Sequence, residues 1–380
     1  MINKGCFSVK LSILDQSPIS AGKTAQEALH TSVKLAQLGE ELGYERFWIA
    51  EHHDLFGLAC PNPDVMLGVI GAQTKQIRIG AGAVLLPYYK PFRVAETYNL
   101  LATLFPDRVD LGLGRAPGGS AEVSLALSDN YLKQVREYPE RIEELLGFLH
   151  GRYPADHPYG KISPTPVPET PPETWLLGTS EKSAILAAEK GMDYAFGHFM
   201  TDSDGPEIVK RYRENFAKKP GSERRADEFS HGKDVTKSNT ETRDARQVNG
   251  LGHGKDVNSR VEPRVIVAVS VICAATTERA EELALSSFLW SIQQEKQVDH
   301  HVVPSVEEAK NYTFTEEEQE KMEKMKNKMI IGNPPEVKEQ LVTLKEQYGA
   351  DEIMVVTIIH DAEAKFESYR LLALECWKVD

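Results

Sequence analysis

Apolar and polar positions along this chain follow two alternating rhythms. Short runs such as FSVKLSIL (7–14), RFWIA (46–50), IRIGAGAVLL (77–86) and VDLGLG (109–114) have the spacing of extended segments. Longer stretches with helical spacing lie between them, at 24–42, 63–74 and 91–104, and again up to residue 150. The pattern resumes in TWLLG (174–178), DYAFG (193–197), RVIVAVSVIC (264–273) and DEIMVVTII (351–359), with helices beginning near Ser180 and Gly205. Alternating strands and helices predict parallel strands joined by right-handed crossovers. The count of eight strands, mostly rich in Val, Ile and Leu, favours a closed α/β architecture, the (β/α)8 TIM barrel, over an open doubly wound sheet. A single domain over 1–380 is expected.

Two segments break the rhythm. Residues 218–262 are polar, almost free of aliphatics, and contain HGKDV twice, at 231–235 and 253–257. Such a composition buries too little apolar surface to offset the entropy of ordering, so a flexible polar insertion before strand seven is expected, at the amino-terminal face of the barrel. Its His231 and His253 read as part of a solvated loop rather than as metal ligands. The second segment, 290–332, follows strand seven and carries His300, His301 and the charged run FTEEEQEKMEKMKNKM. Its place in a βα connection allows a lid over the pocket or a helix packed on the rim.

Composition narrows the function classes. A net charge of −13 argues against nucleic acid or an anionic membrane as partner, so an anionic ligand would need a local cationic site. Four scattered cysteines without a CxxC pair fit a reducing compartment and offer no zinc site. No run is apolar enough for a signal peptide or a membrane span, and a cytoplasmic location is expected.

In a barrel of this kind the functional residues sit just beyond the strands. Those positions here hold Asp15-Gln16-Ser17-Pro18, Glu51-His52-His53-Asp54, Gly80 to Ala83, Gly112 to Gly118 with Arg115, Gly178-Thr179-Ser180, and Gly197-His198. Arg115 follows a glycine-ended strand and can hold an anion or form a rim salt bridge. Gly178, Thr179 and Ser180, with Ser183 one turn on, open a helix; they can cradle an anion or serve as N-capping groups. His52 and His53 are adjacent on an extended chain and face opposite ways, so they do not converge on one metal. One of them suits acid/base work; the bland reading is a pair of satisfied strand-end side chains. GLGRAPG has the wrong glycine spacing for a dinucleotide fingerprint.

WIAEHH (48–53), GAGAVLLPYYKPFRVAE (80–96), FPDRVDLGLGRAPG (105–118), WLLGTSEKSAILAAEKG (175–191) and DEIMVVT (351–357) together resemble the flavin-dependent luciferase-like monooxygenases. The resemblance spans the barrel in the right order and is closer to the single-subunit bacterial group than to the light-emitting luciferase. It implies a barrel that binds FMN, with Arg115, Gly178, Thr179, Ser180 and Ser183 around the phosphate and a non-proline cis peptide at Gly82-Ala83 under the ring. It also implies that His52 handles a proton near the flavin. The implied activity is a monooxygenase in which reduced FMN, delivered by a separate NAD(P)H:flavin reductase, reacts with O2 through a C4a-peroxyflavin to oxygenate a small organic substrate. Alternatives within the resemblance are a deazaflavin-dependent hydride-transfer enzyme and a flavin-binding protein without turnover. A homodimer is the oligomer it suggests. Two departures put the luciferase substrate in doubt: Glu51 stands where luciferase has asparagine, and Gly114 where it has a reactive cysteine.

Overall fold

The computed structural model describes residues 9–217, 262–296 and 302–377. The 218–262 insertion, apart from Glu262, lies outside the described residues, as do His300 and His301. Nine strands are described: β1 (Leu11–Asp15), β2 (Arg46–Ile49), β3 (Arg78–Leu85), β4 (Val109–Gly114), β5 (Glu173–Gly178), β6 (Asp193–Gly197), β7 (Val265–Cys273), β8 (Met329–Gly332) and β9 (Glu352–Val356). Eight of them form a closed parallel barrel in the order β6-β5-β4-β3-β2-β1-β9-β7, sealed by pairing of β6 with β7. β8 lies outside that ring. It pairs only with the far end of β7, from Ser270 opposite Met329 to Cys273 opposite Gly332.

The helices between strands start and stop where the sequence has the chemistry for it. Thr24 and Glu27 form a capping box at the start of helix Ala25–Leu42, and Gly43 at φ 82° ends it in the left-handed region. No described helix is long and apolar enough to cross a membrane.

Side chains that point into the barrel come from every second strand position and build up in layers. The lowest layer is ionic. Arg46 bonds Asp110 at 2.7 Å and Glu352 at 2.8 Å; Arg78 also reaches Asp110, and Arg264 bonds Asp193 and Glu173. Ser12 donates to Glu352, and the Trp48 indole N–H to Asp110 at 2.9 Å. Burial alone would raise the Asp110 carboxyl, but Arg46 and Arg78 outweigh it and hold the group below the ordinary carboxylate value. The next layer is apolar, with Leu14, Trp48, Trp175, Ile266 and Met354 in one buried cluster. The Arg46 and Arg264 guanidinium groups lie over the Trp175 ring, 5.0 and 4.7 Å from its centre, and join the two layers. Above them most inward residues are small: Ala50, Gly82, Gly114, Gly197 and Ala268. That change leaves a cavity at the carboxyl ends of the strands.

Gly112 belongs to the plugged part. A Cβ there would run into the Ala81 carbonyl oxygen. Gly112→Ala is therefore expected to cost about 1–3 kcal/mol of stability through overpacking, read as a lower denaturation midpoint in urea.

The described part of the 290–332 segment packs on the rim of the barrel. Helix Val306–Asn311, helix Glu316–Lys326 and β8 pack through Val306, Met322, Met325, Met329 and Ile331 onto Ile272, Leu283 and Phe288. Val303 bonds Ile19 and Ala21 through the backbone. None of the described residues of 302–332 lines the cavity. This stretch stands beside the opening because its methionines and aliphatics cover the exposed end of β7. β8 escaped the sequence pattern because it begins at Met329, the last residue of the charged run with helical spacing.

Candidate functional site

The cavity above the small-residue layer has a volume of about 420 Å³. His52, Gly82, Ala83, Arg115, Gly178, Thr179, Ser180 and Ser183 all line it. Of the other strand-end residues singled out from sequence, Gln16, Glu51, Gly114 and Gly197 line it too. His198 does not: it turns outward and its Nδ1 bonds the Tyr348 hydroxyl at 2.8 Å.

One wall is built by the ends of β4, β5 and β6. Helix Glu181–Lys190 starts there with a capping box in which Ser180 Oγ accepts from Ser183 N–H and Ser183 Oγ accepts from Ser180 N–H. The capping reading of these serines is thus realised. What remains open on the wall is the Thr179 hydroxyl and the first helical N–H groups, at Glu181 and Lys182, which have no acceptor within the helix. Gly178 is required where it is because a Cβ would run into Ser183 Oγ.

Arg115 faces this wall. Its backbone carbonyl accepts from the Tyr131 hydroxyl at 2.7 Å. Its guanidinium makes no ion pair among the described residues, so the rim salt bridge is not formed there. Burial pushes the Tyr194 hydroxyl up to about 12, and the nearby Arg115 charge pulls against that shift. Tyr194 in turn bonds Ser183 Oγ at 3.0 Å. Arg115 acts in the same way on Tyr138, whose phenol burial raises above its ordinary value. The Tyr138 hydroxyl is buried in the cavity wall with no hydrogen-bond partner in the described structure. Sequence reasoning missed Tyr138. It opens helix Tyr138–Leu149, far along the chain from the β4 end, and only the folded chain aims it at the cavity.

The β2 and β3 ends form a second wall. Glu51 is buried and accepts three hydrogen bonds: from the Leu85 N–H at 3.0 Å, the Tyr89 hydroxyl at 2.6 Å and the His53 ring at 2.8 Å. That fixes His53 away from the cavity and leaves His52 as the histidine that lines it. The His52 backbone N–H donates to the Cys60 carbonyl, while its ring Nδ1 is buried without a partner. Burial, helped by the neighbouring His53, lowers the His52 imidazole to about 4, so it is neutral near pH 7 and its ring nitrogen is open. The Gly82–Ala83 peptide is cis, and the β3–β4 register shifts between Ala81 and Val84. A Cβ at Gly82 would press on Leu14 and Trp48. The described residues contain no group of three or more His, Cys, Asp or Glu able to hold a metal.

The depressed His52 value has a consequence for stability. As pH falls below 6.5 the unfolded chain takes up the proton first, so stability is lost until about pH 4, where the folded form is protonated as well. His52→Gln is expected to flatten that acid limb by roughly 2–3 kcal/mol, measured by urea denaturation at stepped pH.

An apolar cavity with an unpaired cation, open N–H groups and two orphaned polar atoms can take a flat aromatic ligand that carries an anion. The family model described as luciferase-like monooxygenase matches residues 9–352. The chain is 41% identical to the YceB protein of Bacillus subtilis, over 96% of this chain and 98% of that one. It is 35% identical to the N-acetyl-S-alkylcysteine monooxygenase of the same organism, over 96% of this chain and 97% of the relative. Among solved structures, apo-MsnO8 superimposes with a TM-score of 0.76 at 31% identity, covering 96% of this chain and 97% of the other.

Proposed function

The chain belongs to the luciferase-like monooxygenase family, and from that premise we propose that it is an FMN-dependent monooxygenase acting on a small organic substrate. Reduced FMN would come from a separate NAD(P)H:flavin reductase. When bound it supplies two electrons to O2, one oxygen atom passing to the substrate and the other leaving as water. The observation that carries this reading is Arg115, unpaired among the described residues and set against a helix start across an apolar cavity.

The residues fit the cofactor. Arg115, Thr179 and the Glu181 and Lys182 N–H groups would hold the phosphate, with Tyr138 donating the hydroxyl that has no partner. Gly178, Ser180 and Ser183 shape that cradle. Gly82, Ala83 and Gly114 are small enough to leave a slot for the ring. Neutral His52 would accept a proton at Nδ1 beside it. Trp48, Leu177 and Met354 would keep water from the reacting atoms. We place the enzyme in the cytoplasm, where reduced nicotinamide is available.

We also propose a homodimer. Val65 and Val69 on helix Pro63–Gln73 and Leu100 and Leu104 on helix Pro91–Leu104 are 45–64% exposed. Each pair is four residues apart, so two adjacent helices present one apolar face suited to a second copy. Leu100→Asp should then give a monomer in sedimentation velocity; an unchanged mass would remove this contact from the proposal.

The activity is tested by oxygen uptake with a flavin reductase, NADH and FMN, in the presence of thioethers including N-acetyl-S-alkylcysteines, the class named for the 35% identical relative. Substrate-dependent uptake with an oxygenated product is expected. Turnover only with a deazaflavin and without O2 would overturn the reading.

A further inference from the structure

Gln16 is the polar exception in the small-residue layer. It follows β1 and is the one carboxamide among the described residues that line the cavity. Its side chain has no hydrogen-bond partner among the described residues. The backbone on both sides of it is pinned. Before it, the buried Asp15 carboxylate accepts from Lys365 Nζ at 2.5 Å, Ser32 Oγ at 2.5 Å and Ser17 N–H at 3.2 Å. After it, Ser17 sits at φ 51° and bonds Ser32 through its hydroxyl at 2.8 Å. The chain therefore turns sharply around Gln16 and leaves its amide over the cavity. The surface below is apolar, formed by Leu14, Trp48 and Met354.

We propose that this corner is the substrate subsite, and that Gln16 there orients a substrate with an apolar body and one neutral hydrogen-bonding group, an amide or carbonyl. The inference rests on the reading that the β4–β5 wall holds the FMN phosphate, which leaves the β1–β2–β9 side for substrate. An amide with both donor and acceptor open is best matched by a group that offers their complements. An ion would have to shed its hydration over Leu14 and Trp48 without a counter-charge from Gln16. A site built to hydrogen-bond discriminates strongly against ligands that leave its polar atoms unpaired. Asp15, Ser17, Ser32 and Lys365 are positioning residues for this contact.

The test titrates the FMN-loaded protein with N-hexylacetamide, hexanoate and hexylamine, reading the flavin absorbance difference. N-hexylacetamide is expected to bind at least about tenfold more tightly than either ion. Gln16→Leu, which keeps the volume, should lose about tenfold of the amide affinity with FMN affinity unchanged. Gln16→Glu should shift the preference to hexylamine. Ions that bind as tightly as the amide, or a Gln16→Leu variant that binds the amide normally, would overturn the subsite while leaving the FMN reading intact. Failure of the wild-type protein to bind FMN would overturn both.

Discussion

Arg115→Ala is expected to weaken FMN binding by roughly 10- to 100-fold while riboflavin binding stays where it was. The size follows from the loss of one charge-assisted, two-pronged contact to a phosphate, typically about 1.5–3 kcal/mol. The selectivity follows from where Arg115 stands. It makes no ion pair among the described residues, so its removal leaves no described carboxylate unpaired. Gly82 and Ala83, proposed to lie under the ring, stand at the β3 end on the other wall, so riboflavin is expected still to bind there. Flavin fluorescence quenching with both ligands separates the outcomes. Equal losses for FMN and riboflavin would mean that Arg115 supports the cavity's shape; no loss for either would mean that the anion site lies elsewhere.

The largest stability effect is expected at the bottom of the barrel. Arg46 is buried between Asp110 and Glu352 and lies over Trp175. Arg46→Met keeps the apolar stem but leaves two buried carboxylates facing each other, with Arg78 alone beside Asp110. A cost of about 3–5 kcal/mol is expected, because a broken buried pair loses its attraction and keeps its desolvation. Adding Asp110→Asn should return part of that stability, since it removes one of the stranded charges. Urea denaturation of the single and double variants measures both. A loss below about 1 kcal/mol in Arg46→Met would show that water reaches the ring and screens it.

Much of this architecture was legible in the sequence, and the reason is periodicity. Each barrel strand is a run of aliphatics with a polar or glycine-rich end, and every expected barrel strand is found near its expected place. The cavity residues were legible for a related reason: in a parallel barrel all strands end on one face, so order along the chain predicts company in space. The ionic ring was not read, although its signal is present. Arg46, Arg78, Asp110, Glu173, Asp193, Arg264 and Glu352 all stand at or near strand starts, two residues before an inward apolar or glycine position. Which cation meets which carboxylate depends on strand stagger, and stagger is not written in spacing. Tyr138 was missed because helix Tyr138–Leu149 is the third helix after β4. Ser180 and Ser183 show the opposite difficulty. Their residue types fit a cradle and a cap equally, and only the hydrogen bonds tell that both serve the cap.

We propose that this cavity is built for reduced FMN. The most direct measurement is an anaerobic titration of the wild-type protein with reduced FMN, reduced riboflavin and reduced deazaflavin cofactor F420, followed by flavin absorbance. Tightest binding is expected for reduced FMN, with riboflavin at least about tenfold weaker for want of the phosphate contacts. Equal affinity for FMN and riboflavin, or tightest binding of F420, would overturn the assignment of reduced FMN to this cavity.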